Sequence, residues 1–185
     1  MVLKPTLLTL RFTVLAPRAL NNMTAVFVED GVDKGAIWHF GEPNKEQKAL
    51  LEGKAWADLS HLQIIAVSGV DRLKWLHDLT TQYLLDFGAG TWTSALILDP
   101  QGHVEYQFNL VDDGASTWLV IDSGYAENLI AYLNKMRFML RVEVRDATGE
   151  YAVMRAPGMP TDIGGPFALV PRAELEEMKS AFNST

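Results

Sequence analysis

Between Thr91 and Ile121, three runs rich in β-branched and aromatic residues are separated only by Asp99-Pro100-Gln101-Gly102 and by Asp112-Asp113-Gly114. Connections this short cannot carry a chain to a parallel neighbour, which needs a crossover of about a dozen residues. Thr91–Leu98, His103–Val111 and Thr117–Ile121 are therefore expected to form an antiparallel meander, with proline and glycine where tight turns want them. The remaining elements have to pack on a sheet built around these strands.

Helical spacing flanks the meander. Leu129, Ile130 and Leu133 put an apolar stripe on Ala126–Met136, and Leu73, Leu76 and Leu79, with Trp75 beside them, do the same for Asp71–Leu79. Ser68, followed three residues on by Asp71, reads as a capping box with Asp in place of Glu. Pro43 suits a helix entrance, so Asn44–Glu52 reads as a helix with Leu50 and Leu51 on its apolar side and Gly53 as its stop. Further strands are expected at Ala25–Val28, Trp56–Leu59, Gln63–Val67, Val142–Val144 and Tyr151–Met154, and Gly31–Gly41 reads as a polar connection. Strands and helices mix without regular alternation. The expected class is α+β, a largely antiparallel sheet with helices on one face.

The texture changes after Ala156. Pro157-Gly158-Met159-Pro160 and Gly164-Gly165-Pro166 punctuate a linker-like stretch, Phe167–Val170 reads as a strand, and Pro171 opens a helix over Arg172–Phe182 with Leu175, Met178 and Phe182 as its stripe. At the other end, Arg11 splits an apolar run, and Pro17-Arg18 stands where a signal peptide would carry small residues. The expected organisation is a disordered or misassigned extension over 1–22 with Met23 as the true start, a domain over 23–156, and a linker and helix of an incomplete following region over 157–185. No segment reaches the ~18 unbroken apolar residues of a membrane span.

Composition excludes several chemistries. Cysteine is absent, so there is no disulfide, thiolate metal site or thiol nucleophile in this sequence, and a reducing, cytoplasmic setting is expected. The net charge of -7 repels phosphate backbones, and the one basic stretch, Lys135, Arg137, Arg141 and Arg145, is interrupted by Glu143 and Asp146. No nucleic-acid partner is expected. His39, His61, His77 and His103 fall in different elements without chelating spacing. Asp58, Ser60 and His61 are too close along one strand to face each other as a triad. Gly88-Ala89-Gly90 precedes a strand, so it is not a dinucleotide fingerprint, and Asp112-Asp113 reads as turn chemistry.

One succession of motifs goes further. Ala57-Asp58-Leu59-Ser60-His61-Leu62 leads to Val67-Ser68-Gly69-Val70-Asp71-Arg72-Leu73-Lys74-Trp75-Leu76, then Thr80-Thr81-Gln82 and Gly88-Ala89-Gly90. Next come the Asp99–Gly102 hairpin, Leu119-Val120-Ile121-Asp122, and Leu133 through Val144. This order resembles the opening of the folate-binding domain of glycine-cleavage T-proteins and of their bacterial YgfZ-type paralogues, from about His39 to Met154. The resemblance implies the fold of the T-protein N-terminal region and a tetrahydrofolate cofactor.

In aminomethyltransferases of that group the returning hairpin strand reads Gly-Gly-Val-Ile-Asp-Asp, and its first aspartate is the acid/base. Here it reads Gly102-His103-Val104-Glu105-Tyr106-Gln107, which puts Tyr106 at that position. A phenol with a reference pKa of about 10 is a poor substitute for a carboxylate. Strand alternation points the neighbouring Glu105 to the opposite face. The resemblance thus favours the YgfZ type, which supports iron–sulfur enzymes, over an aminomethyltransferase with an altered acid or a non-catalytic fragment without a ligand. The cysteine-bearing loop of YgfZ-type proteins would lie downstream of Thr185, so the chain reads as an N-terminal half whose partners include the missing half or a second copy, with iron–sulfur enzymes beyond them. By position, Leu62, Tyr106, Phe108 and Asp122 are expected at the folate, and no metal ligand is expected.

Overall fold

The computed structural model describes residues 25–156, 158, 159 and 166–183, though not the side chains of Phe182 and Asn183. The expected extension over 1–22 lies outside these residues, as do parts of the expected linker and the Phe182 member of the last apolar stripe.

The meander forms as its turns require. β5 (Trp92–Leu98), β6 (Val104–Asp112) and β7 (Ser116–Ile121) pair antiparallel in sequence order. β7 continues onto β4 (Gln63–Ser68), and β4 onto β8 (Glu143–Asp146), which completes a five-stranded sheet with every pair antiparallel. A smaller sheet of β10 (Ala168–Pro171), β9 (Tyr151–Arg155) and β3 (Ala57–Asp58) is antiparallel too. With four helices among the described residues, the class is α+β. The division of strands among separate sheets does not show in the sequence pattern, because period two says which residues share a face and nothing about which strand lies beside which.

Each face of the large sheet has its own core. On one side Ile65, Val67, Ile97, Phe108, Leu110, Leu119 and Ile121 meet Trp75 and Leu76 of α2 (Arg72–Leu79) and Ala126, Leu129 and Leu133 of α3 (Ala126–Met136). Both helical stripes face inward as their spacing requires. Full burial of a side chain such as Phe108 or Leu119 contributes roughly 1.5–3 kcal/mol each. On the other side Ile64, Ala66, Trp118 and Val120 pack with Ala147 and Val153 under the small sheet. The outer face of that sheet is covered in turn: Leu175 of α4 (Leu175–Asn183) is buried with Ala152, Met154 and Val170.

Three local expectations are corrected. Within Gly31–Gly41, Ile37–His39 is a strand (β2) that pairs with Val26–Phe27 (β1); its β-forming residues sit inconspicuously among polar and glycine residues. Ser68 caps no helix, because it ends β4 still paired with Ser116 and Glu143. α2 instead starts after Asp71, whose carboxylate turns away to accept hydrogen bonds from the Arg141 backbone N–H at 2.9 Å and from its guanidinium at 3.0 Å. Long-range charge pairing outbids the local cap here. Lastly, α1 (Pro43–Leu51) forms as expected but buries no residue, and Leu51 is 65% exposed.

Candidate ligand pocket

The two ends of β6 are built differently. At its C-terminal end Asp112 is almost fully buried, and its carboxylate is saturated. It accepts from Arg72 Nε at 2.8 Å and Nη2 at 2.7 Å, from the Thr117 hydroxyl at 2.6 Å and from the Gly114 N–H at 2.8 Å. Burial pushes the Asp112 carboxyl up, but these hydrogen bonds and the guanidinium charge outweigh it and hold the carboxyl below its usual range. Asp113 accepts from Ala115 and Ser116 N–H and from the Trp118 indole. The reading of this pair as turn chemistry is right for Asp113 and incomplete for Asp112, whose partner Arg72 lies forty residues away in sequence.

At the N-terminal end the strands part. Pairing of β6 with β7 stops at Asn109 and Val120, so Glu105–Gln107 runs on beside β5 alone. The opening between β6, the end of β7 and the entrance of α3 is a cavity of about 140 Å³ lined by Glu105, Tyr106, Gln107, Ile121, Asp122 and Tyr125. Ile121 is its apolar floor. The Tyr106 ring lies 5.8 Å from that of Tyr132 at 44°. Asp122 could have been the cap of α3, but Gln63 takes that role: its side-chain oxygen accepts from Gly124 N–H at 2.8 Å and Ala126 N–H at 3.1 Å. The side chains of Glu105, Tyr106, Gln107, Asp122 and Tyr125 make no hydrogen bond or ion pair with one another or with any other described residue.

Glu105 lines the cavity where the register of β6 is broken. Ile97 pairs with Tyr106, but Leu98 pairs with Val104, so Glu105 is one extra residue in β6. The cause lies in the turn. Asp99 accepts hydrogen bonds from Gln101 N–H, His103 N–H and the His103 ring, and Asp99 N–H donates to the His103 carbonyl. That closure is one residue out of step with the register in which Phe108 sits opposite Ala95 in the core. A bulge absorbs the difference and breaks the alternation on which the opposite-face assignment rested. Glu105 therefore lines the same cavity as Tyr106, and burial, the Glu105 charge and Tyr106 together push the Tyr132 phenol up. The mismatch between turn and core register is a signal a sequence reading could have used.

Of the residues expected at a ligand, the structure brings Tyr106 and Asp122 together in the cavity. Phe108 is 1% exposed in the core beneath the helices, and Leu62 packs on the opposite face of the sheet, against the core shared with the small sheet. The other candidate groups have structural partners. Asp58 accepts from Ser60 N–H and pairs with Lys179 at 2.7 Å, and His61 faces Asp33 at 3.1 Å. His39, His77 and His103 each contact a group in their own neighbourhood. No cluster of metal-ligating side chains exists among the described residues.

The layered α+β fold has a counterpart among solved structures. It superposes on the crystal structure of the glycine cleavage system aminomethyltransferase T from Bartonella henselae with a TM-score of 0.58 at 18% identity. The match covers 72% of this chain and 37% of that enzyme, so the chain spans well under half the length of its structural neighbour. No curated protein matches the sequence. Residues 18–160, more than half of the chain, match the model of the GCVT N-terminal domain, and the chain belongs to that family.

Proposed function

We propose that this chain binds a reduced folate at the cavity between β6, β7 and α3, as a YgfZ-type accessory protein that supports iron–sulfur enzymes in the cytoplasm. The observation that carries the reading is the makeup of the cavity: aromatic rings and an apolar floor beside polar groups that have no partner within the described residues. Folate suits it. The flat heterocycle would lie against Tyr106 over Ile121, and its hydrogen-bonding edge would face the acceptors of Glu105 and Asp122. In this reading Phe108 supports the pocket from beneath, and Leu62 acts through the packing of β4. The cavity is smaller than the roughly 300–1,000 Å³ of a closed small-molecule site, which fits one wall of a larger pocket.

Tyr106 stands where the resemblance places the transferase carboxylate, and this favours the accessory role over aminomethyl transfer. Calorimetric titration of the chain with tetrahydrofolate tests the binding, and formaldehyde-equivalent transfer from an aminomethyl donor tests the activity. Saturable heat with turnover at the level of the protein-free control is the expected pair of results. Turnover above that control would instead make the chain an aminomethyltransferase with an altered acid.

A further inference from the structure

Two exposed apolar features lie outside the cavity, and they carry opposite charge. One is the turn after α3, where Phe138 is 81% and Met139 98% exposed. Val70 extends this tip, since it stands between Gly69 and Asp71, both of which lie against Arg141. The turn is tied down: Leu140 N–H donates to the Arg137 carbonyl at 3.1 Å, and Arg141 donates to Asp71 from its backbone and its guanidinium. Phe138 sits at φ +48°, a conformation that bulky residues avoid. The chain thus holds strain here while leaving both apolar side chains in water. Lys135, Arg137 and Arg141 flank the tip, and no acidic residue falls between Glu127 and Glu143. The other feature is the hairpin of β1 and β2. Phe27 is exposed there and Trp38 is 70% exposed, and the connection carries Glu29, Asp30 and Asp33 against Lys34 alone.

From this arrangement we infer that the Phe138–Met139 tip of one copy docks on the Phe27–Trp38 hairpin of a second copy of this chain. Neither feature covers the other within one chain, because both stay exposed. Aromatic residues, Met and Arg are the residue types that interfaces favour. Trp38 offers the best ring face for an arginine cation, and Arg137 and Arg141 bracket the tip that would reach it. Glu29 and Asp30 oppose the same basic residues, so charge fixes the orientation. Tip against tip, or hairpin against hairpin, would set like charges together. A turn already held in place also loses little freedom on docking. Two different patches meet, so the contact is heterologous, and each pair keeps one free tip and one free hairpin for further copies. None of these residues lines the cavity, and the inference does not depend on what binds there.

The test is sedimentation velocity of the 185-residue chain from about 5 to 500 µM, the range in which a small interface shows itself. Wild type is compared with Met139→Asp, Trp38→Asp, Glu29→Lys and Leu85→Asp. Leu85 is exposed in the loop before β5, so its replacement adds the same charge as Met139→Asp outside both patches. The expected result is a wild-type mass that rises with concentration and falls back as salt is raised. Met139→Asp and Trp38→Asp should each weaken association about ten-fold or more, and Leu85→Asp should leave it unchanged. Glu29→Lys keeps both aromatic residues and should weaken it several-fold, which separates lost contact from a misfolded hairpin. An equimolar mixture of Met139→Asp and Trp38→Asp retains one intact tip and one intact hairpin, and it should regain dimers that grow no further. A wild type that stays monomeric throughout overturns the inference. So does equal weakening in Leu85→Asp, or a mixture that associates no better than its components, because the contact is then general charge or a symmetric one.

Discussion

The two ends of β6 carry similar residues to opposite purposes. At the Asp112 end a carboxylate, a guanidinium and a hydroxyl are spent on one another, and the Arg72 guanidinium also donates to the Gly69 carbonyl at 3.2 Å. At the Glu105 end two carboxylates and two phenols line an opening without any such bonds. Burial sets the difference. An ionised group withdrawn from water must be paired, whereas one at an open rim can stay solvated until something else arrives. A charged residue in this fold thus declares its role by its partners.

The sharpest way to break the comparison is Asp112→Ala. It strands the Arg72 guanidinium, only 11% exposed in the folded protein, and a broken buried pair costs about 3–5 kcal/mol. Urea unfolding should show that loss. The folded-state pKa of Asp112 is depressed, so its contribution is fully present above the unfolded value near pH 4 and is lost as pH falls through the folded value. The stability gap between wild type and Asp112→Ala should accordingly narrow below about pH 4.

Gly69→Ala tests the same end through the backbone. Gly69 has φ +110°, and an added Cβ would stand 2.0 Å from the Arg141 carbonyl oxygen, so either the turn or the loop after α3 has to move. A loss of about 2–4 kcal/mol is expected from strain and clash together, read as a lower unfolding midpoint. Thr117→Val, which removes one of the donors to Asp112 from a fully buried site, should cost about 1–2 kcal/mol by the same measurement. The smallest effect on folding is expected at the other end. Asp122→Asn should stay within about 0.5 kcal/mol of wild type, since its carboxylate holds no other described residue, while tetrahydrofolate affinity falls. A large stability loss in Asp122→Asn would erase the contrast between the two ends.

Much of the architecture was legible in local pattern. The stripe on Ala126–Met136 and the two hairpin turns led directly to α3 and the meander, because helical period and turn chemistry act over a few residues. The Ser68–Asp71 capping signal failed because Arg141, seventy residues away in sequence, competes for the same carboxylate. The site was legible in part. Tyr106 and Asp122 meet in one cavity, and Glu105, which alternation turns from Tyr106, lines it too where a bulge interrupts β6.

By itself the sequence determined the α+β class, the antiparallel meander and the inward faces of α2 and α3, since each follows from spacing along a short stretch of chain. Only the tertiary structure decided that the strands divide among three sheets, the two larger ones packed on each other, that Asp112 pairs with Arg72, and that Glu105 joins Tyr106 at the cavity. The reason is common to all three. Each depends on which distant segment lies alongside, and a register conflict or a charge pair is settled where two elements meet, not within either one.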